Sequence, residues 1–552
     1  MNFAPDRVAM ATDFNQIAQC QTYLRTVDAN DPDVAAEKLA VLLEGMAVAS
    51  PPPAAHLQML EDLRQPVDFI VAELARRYAS HPLPPSSSEQ AILHQVVRLW
   101  LLMGTNYGFA GQRLALNGGA MSEDQRALLM QRRVFYQTHA MLEFFRARQE
   151  MPRNMWRDLH ALFQSVLRAG LATSRVPDAL NDTWGAQSPL ECYVAMLLVD
   201  AASPYSRTPR EFSWILRWAQ RFAPYCSLEN GAGVEAHGYL LEMEADHGLR
   251  PASTLAAPAQ AHCLQTVKLA AHIQTVVKKL RAGDAPATLG LGDDCVQPAC
   301  ARLLISLYRP WGKAAAGRKF PRRTTQGKVR LCGDLGGATF FLLGHKYEMP
   351  DEDRLRYASF QRTEKTLGLD ERVEEAESAK AELLEIRARQ QGYVVEAWDV
   401  LDQSVAGFRL MCRDPAIRVE HRQLVGLLVG QQDRLFLAEI SWLQYQRDGA
   451  LCAGVSLMPG PPRVIAVRPR GIDRTQIYER YRLGFVLPDV PALKTEATLI
   501  VPAGGFAEGR LLDVHDEQPW TARLLKLISR GSNFDRVTFV REASGASPGS
   551  AR

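Results

Sequence analysis

The chain has 552 residues, of which 47% are hydrophobic, so it can form three or four packed domains of about 150 residues each. Its 64 Lys and Arg residues nearly balance 61 Asp and Glu residues, which leaves a net charge of +3. This charge is too small for a protein that binds nucleic acid over its whole surface. The strongest apolar stretch, residues 92–103, is short and contains His94, Gln95 and Arg98, so no membrane span is predicted. The first 13 residues lack the basic and apolar regions of an export signal, which favours a cytoplasmic protein.

The nine cysteines form no C-x-x-C pair, and their scatter fits reduced thiols in a cytoplasmic protein. Cys295 and Cys300 are the closest two, but no second pair or histidine couple follows at zinc-site spacing. All nine are therefore expected to be structural or incidental thiols, and no metal site is predicted.

Residues 1–295 are predicted to form one or more all-helical domains. Apolar residues recur there at three- and four-residue spacing, as at Leu39, Leu42 and Met46. Ser122 and Gln125 resemble a capping box at the start of a long helix. A further helix is predicted over 263–280. The polar cluster His237, Glu242, Glu244, Asp246 and His247 is interpreted as the exposed face of a helix rather than a metal site.

Short β-rich runs separated by turn residues begin at about residue 328. A charged segment interrupts them, and its stretch 371–390 consists mainly of good helix formers, which predicts a helical insertion over about 345–391. A second β-rich region covers 466–541, and the small-residue tail 542–552 is expected to be disordered. The first set of predicted strands comprises 328–332, 338–343, 393–401, 407–412, 435–442 and 453–457.

A basic segment precedes the first β-rich run. Residues 295–333 contain no acidic residue but nine Lys or Arg residues, and they are densest at 317–323. Arg318, Arg322 and Arg323 can each present a planar fork to phosphate oxygens or to the edge of guanine. Taken alone, the segment is equally well explained as a solvated basic loop.

A second polar segment lies between two predicted strands. Asp402, Ser404 and Gly407 form a D-x-S-x-x-G arrangement. The serine can donate to a phosphate, the aspartate can accept from a guanine amino group or orient an arginine, and the glycine lets a ligand approach the backbone. Taken alone, these are ordinary turn residues.

Together, the R-x-x-x-R spacing of Arg318 and Arg322 and the D-x-S-x-x-G spacing of 402–407 resemble the two-part signature of PilZ domains. A predicted strand bearing Trp442, followed by the Gly-Val run at 454–455, is similar to the end of such domains. The resemblance implies a six-stranded antiparallel β-barrel that binds the bacterial second messenger cyclic di-GMP. It further implies that Arg318 and Arg322 clamp guanine and phosphate, that Asp402, Ser404 and Gly407 close the opposite wall, and that Arg323 assists.

About 80 residues separate the two motif halves, which is longer than the family's usual spacing. The insertion accounts for the excess if the strands at 328–332 and 393–401 both belong to the barrel. The expected fold class is multidomain α+β: an all-α N-terminal region (1–295), a PilZ-like barrel with its helical insertion (296–465), a C-terminal β-rich domain (466–541) and a tail.

The predicted function is that of a non-catalytic cyclic di-GMP receptor that needs no cofactor or metal. It would relay the level of the second messenger to an unidentified protein partner through its helical N-terminal region. Two alternatives stay open. One is a PilZ-like scaffold or adaptor that has lost ligand binding, and the other is a single-stranded nucleic-acid binder using the same basic loop, although nucleic acid is not the expected partner.

Overall fold

The computed structural model describes residues 12–116, 121–230, 238–252, 261–312, 322–350, 375–430, 434–470 and 479–542. The chain divides into two compact units, Met1–His81 with Pro85–Arg318, and Pro82–Pro84 with Lys319–Arg552. Of the sequence predictions, Arg318, His237 and the tail from residue 543 onward lie outside the described residues.

The first unit is mainly helical, and several of its helices begin at a side chain that caps a free backbone amide. The Asp31 carboxylate accepts a hydrogen bond from the Val34 amide, and the predicted capping box of Ser122 and Gln125 is confirmed, with both of its bonds present. No helix in the described ranges is long and apolar enough to cross a membrane. The helices are α1 (Ile17–Leu24), α2 (Pro32–Ala49), α3 (Pro53–Ala75), α4 (Ser87–Leu116), α5 (Glu123–Arg146), α6 (Met155–Arg168), α7 (Pro189–Ala201), α8 (Pro209–Phe222), α9 (Val267–Ala282) and α10 (Ala299–Gly312).

Short strands are inserted among these helices. Two predictions are wrong here: Cys263 lies in a strand and α9 begins only at Val267, and Glu242 to His247 follow a strand in turns instead of forming a helix face. Apolar runs of three or four residues do not carry enough periodicity to distinguish strand from helix. The strands are β1 (Val176–Pro177) and β2 (Ala186–Gln187), which pair, and β3 (Ser227–Asn230), β4 (Tyr239–Leu241), β5 (Arg250–Pro251) and β6 (His262–Gln265), which form a sheet in the order β3-β6-β4-β5.

The first unit also contains buried ionic groups and a disulfide. The Asp178 carboxylate accepts from Arg64 Nη2 at 2.8 Å and from Arg132 Nη1 at 3.1 Å, and all three side chains are buried in the structure. Cys295 and Cys300 are joined by a disulfide, so the expectation of nine free thiols is wrong for this pair. The sequence separation of five residues gave no sign that the two Cα atoms would lie 5.5 Å apart, within disulfide range.

The second unit contains two antiparallel β-barrels. In the first barrel, β9 pairs with β8 on one side and β10 on the other, so the strands close in the order β10-β13-β12-β11-β8-β9. The two strands on which the long motif spacing depended are therefore neighbours in one barrel. The strands are β7 (Arg323–Thr324), β8 (Lys328–Cys332), β9 (Val395–Ser404), β10 (Gly407–Cys412), β11 (Leu424–Val429), β12 (Arg434–Tyr445) and β13 (Leu451–Leu457).

A short piece of chain from far upstream completes the first barrel. Leu83 and Val419 exchange two backbone hydrogen bonds of 2.8 Å, and the Leu83 side chain is buried in the barrel core with Trp398 and Leu410. Burying a leucine side chain contributes about 1.5–3 kcal/mol. The proline-rich connector between α3 and α4 thus supplies part of the barrel core.

Two helices lie on the outer face of the first barrel: α11 (Leu335–Leu343) and α12 (Glu375–Gln390). The prediction of a strand over 338–343 is wrong, because Asp334 caps α11 by accepting from the Gly337 amide at 2.6 Å. The segment is apolar throughout, so its pattern fits a buried strand as well as a buried helix. The predicted insertion helix is present as α12, and Arg330 of β8 binds Glu385 on it at 2.7 Å.

The second β-rich region is a second closed barrel, in the order β14-β15-β16-β19-β18-β17. Outward-facing residues of both barrels, including Leu424, Phe485 and Phe534, share one apolar cluster with α11. Asn533 reinforces the junction by two hydrogen bonds to the Leu424 backbone. The strands are β14 (Arg463–Pro469), β15 (Arg482–Leu487), β16 (Thr498–Pro502), β17 (Leu511–His515), β18 (Trp520–Arg530) and β19 (Phe534–Glu542). The predicted fold class, a helical N-terminal region followed by β-rich barrel domains, is confirmed.

A polar surface on the first barrel

Arg322 and Asp402, which are 80 residues apart in sequence, meet at the edge of the first barrel. Arg322 Nη1 donates to Asp402 Oδ1 at 2.7 Å. The strand β7 brings them together, because Thr324, two residues after Arg322, pairs directly with Asp402 on β9. Residues two apart on a strand lie on the same face, so Arg322 and Asp402 share one face.

Cross-strand pairing extends this face over three further strands. Asp402 is opposite Arg409 on β10, Arg409 is opposite Gly454 on β13, and Gly454 is opposite Trp442 on β12. Directly opposite residues present their side chains on the same side of a sheet. Arg409 Nη1 lies 3.7 Å from Asp402 Oδ2, so the carboxylate is placed between two guanidinium groups.

Gly454 allows an aromatic ring to lie along the sheet. A Cβ atom at this position would overlap the Trp442 indole, so any larger residue would push the ring away. The row from Thr324 to Trp442 crosses four inter-strand steps of about 4.8 Å each, or about 19 Å of outer barrel surface. That length accommodates a ligand with several polar groups and an aromatic system.

The D-x-S-x-x-G segment forms the tight connection between β9 and β10. Ser404 Oγ accepts from the Ala406 amide and donates to the Gly407 carbonyl oxygen, both at 3.3 Å. A Cβ atom at Gly407 would collide with the Val455 carbonyl oxygen of β13, so the close approach of the strands requires glycine. Ser404 therefore fixes the turn, and Gly407 allows β10 to lie close to β13.

Cross-strand pairs that begin at Gly407 lead toward the second barrel. Gly407 is opposite Ser456, and Ser456 is opposite Glu439. Glu439 Oε1 accepts from Arg422 Nε at 3.0 Å, and the Arg422 carbonyl oxygen accepts from the Ser532 amide of the second barrel at 3.0 Å. The polar surface is thus joined to the junction between the barrels by one chain of hydrogen bonds.

We call the outer-face residues Arg322, Asp402, Ser404, Gly407, Arg409, Trp442, Gly454 and Ser456 the polar row. Of the residues predicted from sequence, four belong to it: Arg322, Asp402, Ser404 and Gly407. Arg323 is opposite Gln403, one position out of step with Asp402, so strand alternation directs it to the other face. Arg318 lies outside the described residues.

Sequence reasoning missed Arg409 and Ser456 as members of the surface. A signal for Arg409 existed, since it lies two residues after Gly407 in a strand and must share its face. Ser456 and Trp442 carry no such local signal, because only the pairing of β13 with β10 and β12 places them beside the motif.

The polar row can bind an anion with an aromatic part. Arg322 is 30% exposed and Arg409 is 46% exposed, so both guanidinium groups are accessible, whereas Asp402 is 17% exposed and is held between them. Guanidinium forks bind phosphate in a bidentate manner and stack on purines. Within the described ranges, no three His, Cys, Asp or Glu side chains are grouped so that they could hold a metal ion.

The fold and this surface define a multidomain α+β protein with a PilZ-like barrel that carries two partly exposed arginines on its outer face. Comparisons with known proteins agree with that class. A model for the N-terminal domain of the cyclic-di-GMP receptor FimW matches residues 18–233, and a model for the FimW C-terminal beta-barrel domain matches residues 465–541. Together they match a little over half of the chain, so its N-terminal region belongs to the FimW N-terminal domain family and its second barrel to the FimW C-terminal beta-barrel family.

A curated relative supports this assignment over more of the chain. The cyclic-di-GMP receptor FimW of Pseudomonas aeruginosa is 21% identical over 502 residues, which cover 84% of this chain and 80% of the relative. The predicted recognition of a PilZ-like receptor with a long helical N-terminal region is confirmed. The relative is named as a receptor and not as an enzyme.

Proposed function

We propose that this chain is a cytoplasmic receptor that binds cyclic di-GMP on the polar row of the first barrel. The observation that carries the proposal is the 2.7 Å contact between Arg322 and Asp402, which unites the two motif halves on one barrel face. The name of the curated relative supports the same ligand.

In this proposal six residues of the polar row bind the ligand or shape its site. Arg322 and Arg409 bind phosphate oxygens and guanine edges, for which their exposed planar forks are suited. Asp402 orients both guanidinium groups and accepts from a guanine amino group. Trp442 offers an aromatic surface for stacking, and Ser404 fixes the turn that keeps Gly407 close to β13.

The signal passes from the ligand to a protein partner through the helical N-terminal region. A ligand shifts a conformational equilibrium only by its difference in affinity for the two states. Contacts that bridge the polar row and the second barrel, such as Glu439 with Arg422, are where such a difference would act.

The decisive experiment is calorimetric titration of the full chain with cyclic di-GMP. Arg322→Ala and Ser404→Ala are expected to stay folded and to weaken binding at least about tenfold, because each removes a hydrogen bond to a charged or turn-forming group. Arg413→Ala is the matched control: this arginine is 78% exposed on the same barrel and pairs with Asp399, outside the polar row.

Three results would contradict the proposal. Normal binding by both variants would remove the polar row as the site. Absence of binding by the wild-type chain, with no rise in its melting temperature, would favour the adaptor alternative. Preference for an oligonucleotide, with affinity that falls steeply with salt, would favour a nucleic-acid binder.

A further inference from the structure

The second barrel has a cavity at one of its ends. Its volume is about 770 Å³, and it is formed by the end of β14, the start of β15 and the chain between β16 and β17. This volume lies in the usual range for small-molecule sites. Five arginines line it, against two carboxylates, Glu479 and Glu508; the arginines are Arg468, Arg470, Arg482, Arg510 and Arg523.

Neighbouring polar groups of the second barrel restrain several of these guanidinium groups. Asp513 is opposite Arg468 on β17, and its carboxylate lies 3.4 Å from Arg468 Nε and 3.7 Å from Arg470 Nε. Arg470 Nη1 also donates to Thr521 Oγ1 at 2.9 Å, and Arg510 Nη1 donates to the Gly505 carbonyl oxygen at 2.9 Å. Side chains restrained in this way lose less entropy when they bind an anion.

Arg482 differs from the other four. It is exposed at the start of β15, and its side chain makes no hydrogen bond or ion pair with any residue of the described ranges. Its full set of five donors is therefore open to a ligand in the cavity. A guanidinium group with free donors can bind phosphate oxygens in a bidentate manner.

The bottom of the cavity is apolar. Val467, Val501 and Leu512 line it, and all three belong to the buried core of the second barrel. Gly504 and Gly509 have φ of 75° and 76°, and no atom lies within 4 Å of the position of a Cβ at either one. The surrounding loop therefore leaves its backbone uncovered, and the cavity combines an apolar floor with a cationic rim.

We propose that this cavity is a second anion site, independent of the polar row, that takes a purine nucleotide. The phosphates contact Arg482 and Arg510, while the base rests on the apolar floor, where a guanidinium group can stack on it. A nucleoside triphosphate and a cyclic dinucleotide both carry phosphates and a purine base, so the test includes one ligand of each kind.

The test uses the full chain carrying Arg322→Ala, so that binding at the first barrel is weakened. It is titrated by calorimetry with GTP and, separately, with cyclic di-GMP. At least one ligand is expected to bind with a stoichiometry near one. Adding Arg482→Ala or Arg510→Ala should weaken that binding about tenfold or more, whereas Arg463→Ala, at the opposite end of β14, should leave it unchanged.

The outcomes separate the two ligand sources and the two sites. GTP binding that Arg482→Ala or Arg510→Ala weakens identifies a nucleoside triphosphate as the ligand of the cavity. Cyclic di-GMP binding that the same substitutions weaken identifies the cyclic dinucleotide, whereas cyclic di-GMP binding that they leave unchanged is residual binding at the polar row. The proposal is overturned if neither ligand binds, or if the binding is insensitive to both Arg482→Ala and Arg510→Ala. Because only the second-barrel residues are varied in this background, failure here says nothing about the polar row.

Discussion

The two units of the chain each place one aspartate between two arginines, but in different surroundings. In the helical unit, Asp178 binds Arg64 and Arg132 at 2.8 and 3.1 Å, and the side chains are 0%, 6% and 2% exposed. In the barrel unit, Asp402 lies 2.7 Å from Arg322 and 3.7 Å from Arg409, and the three side chains are 17%, 30% and 46% exposed.

This difference in burial separates a structural group from a binding group. A buried charge that loses its partner keeps the full cost of its desolvation. The Asp178 cluster therefore cannot release an arginine to a ligand without destabilising the helical unit. An exposed ion pair contributes about 0–1 kcal/mol, so Arg322 and Arg409 can exchange part of their contact with Asp402 for a ligand at little cost. The same three residue types therefore stabilise one unit and equip the other to bind.

The largest expected effect follows from breaking the buried cluster. Asp178→Ala should lower the free energy of unfolding of the helical unit by about 3–5 kcal/mol, because Arg64 and Arg132 stay buried and lose the carboxylate that binds both, while their contacts with Glu61 remain. Chemical denaturation followed by circular dichroism measures this change. A loss below about 1 kcal/mol would mean that the cluster is no more structural than the exposed one.

The same substitution at Asp402, in the more exposed cluster, should have the opposite profile. Asp402→Ala is expected to change the free energy of unfolding by less than about 1 kcal/mol. It should weaken cyclic di-GMP binding about tenfold, because both guanidinium groups lose their orientation and the guanine amino group loses an acceptor. Strong destabilisation with unchanged affinity would remove the distinction between the two clusters.

A smaller effect is expected at the outer arginine of the polar row. Arg409→Ala should weaken cyclic di-GMP binding about three- to tenfold, less than Arg322→Ala, because Arg409 is farther from Asp402 and more exposed. Calorimetry of both variants beside Arg413→Ala ranks the three positions. If the Arg409→Ala and wild-type chains bind cyclic di-GMP with equal affinity, Arg409 does not belong to the site, and only the motif residues predicted from sequence remain candidates.

The smallest expected effect is on the stability of the helical unit at acidic pH. Burial raises the pKa of Glu61, but hydrogen bonds and charge from Arg132 and a hydrogen bond from Tyr107 outweigh it, so the pKa lies below its ordinary value of 4.5. A depressed pKa contributes stability above pH 4.5 that is lost as the pH falls through the folded-state value. Glu61→Gln should therefore reduce the loss of melting temperature between pH 5 and pH 3. An unchanged acid profile would contradict this role.

The sequence was a good guide wherever the signal was local. The cap of Ser122 and Gln125, the strand over 407–412 and the turn that follows Ser404 are decided by a few neighbouring residues, and all are present. The strand predicted over 338–343 was wrong because an apolar run has no period, and the Cys295–Cys300 disulfide was missed because spacing does not report distance. The predicted domain limits stay predictions.

By itself, the sequence determined the division into helical and β-rich parts and the residue types of the candidate site, because periodicity and turn chemistry are properties of short segments. Tertiary structure alone decided that Trp442 and Ser456 join that site, that Leu83 enters the core of a distant barrel, and that Arg323 faces away. Strand register and barrel closure set these outcomes, and both depend on pairing between segments tens to hundreds of residues apart.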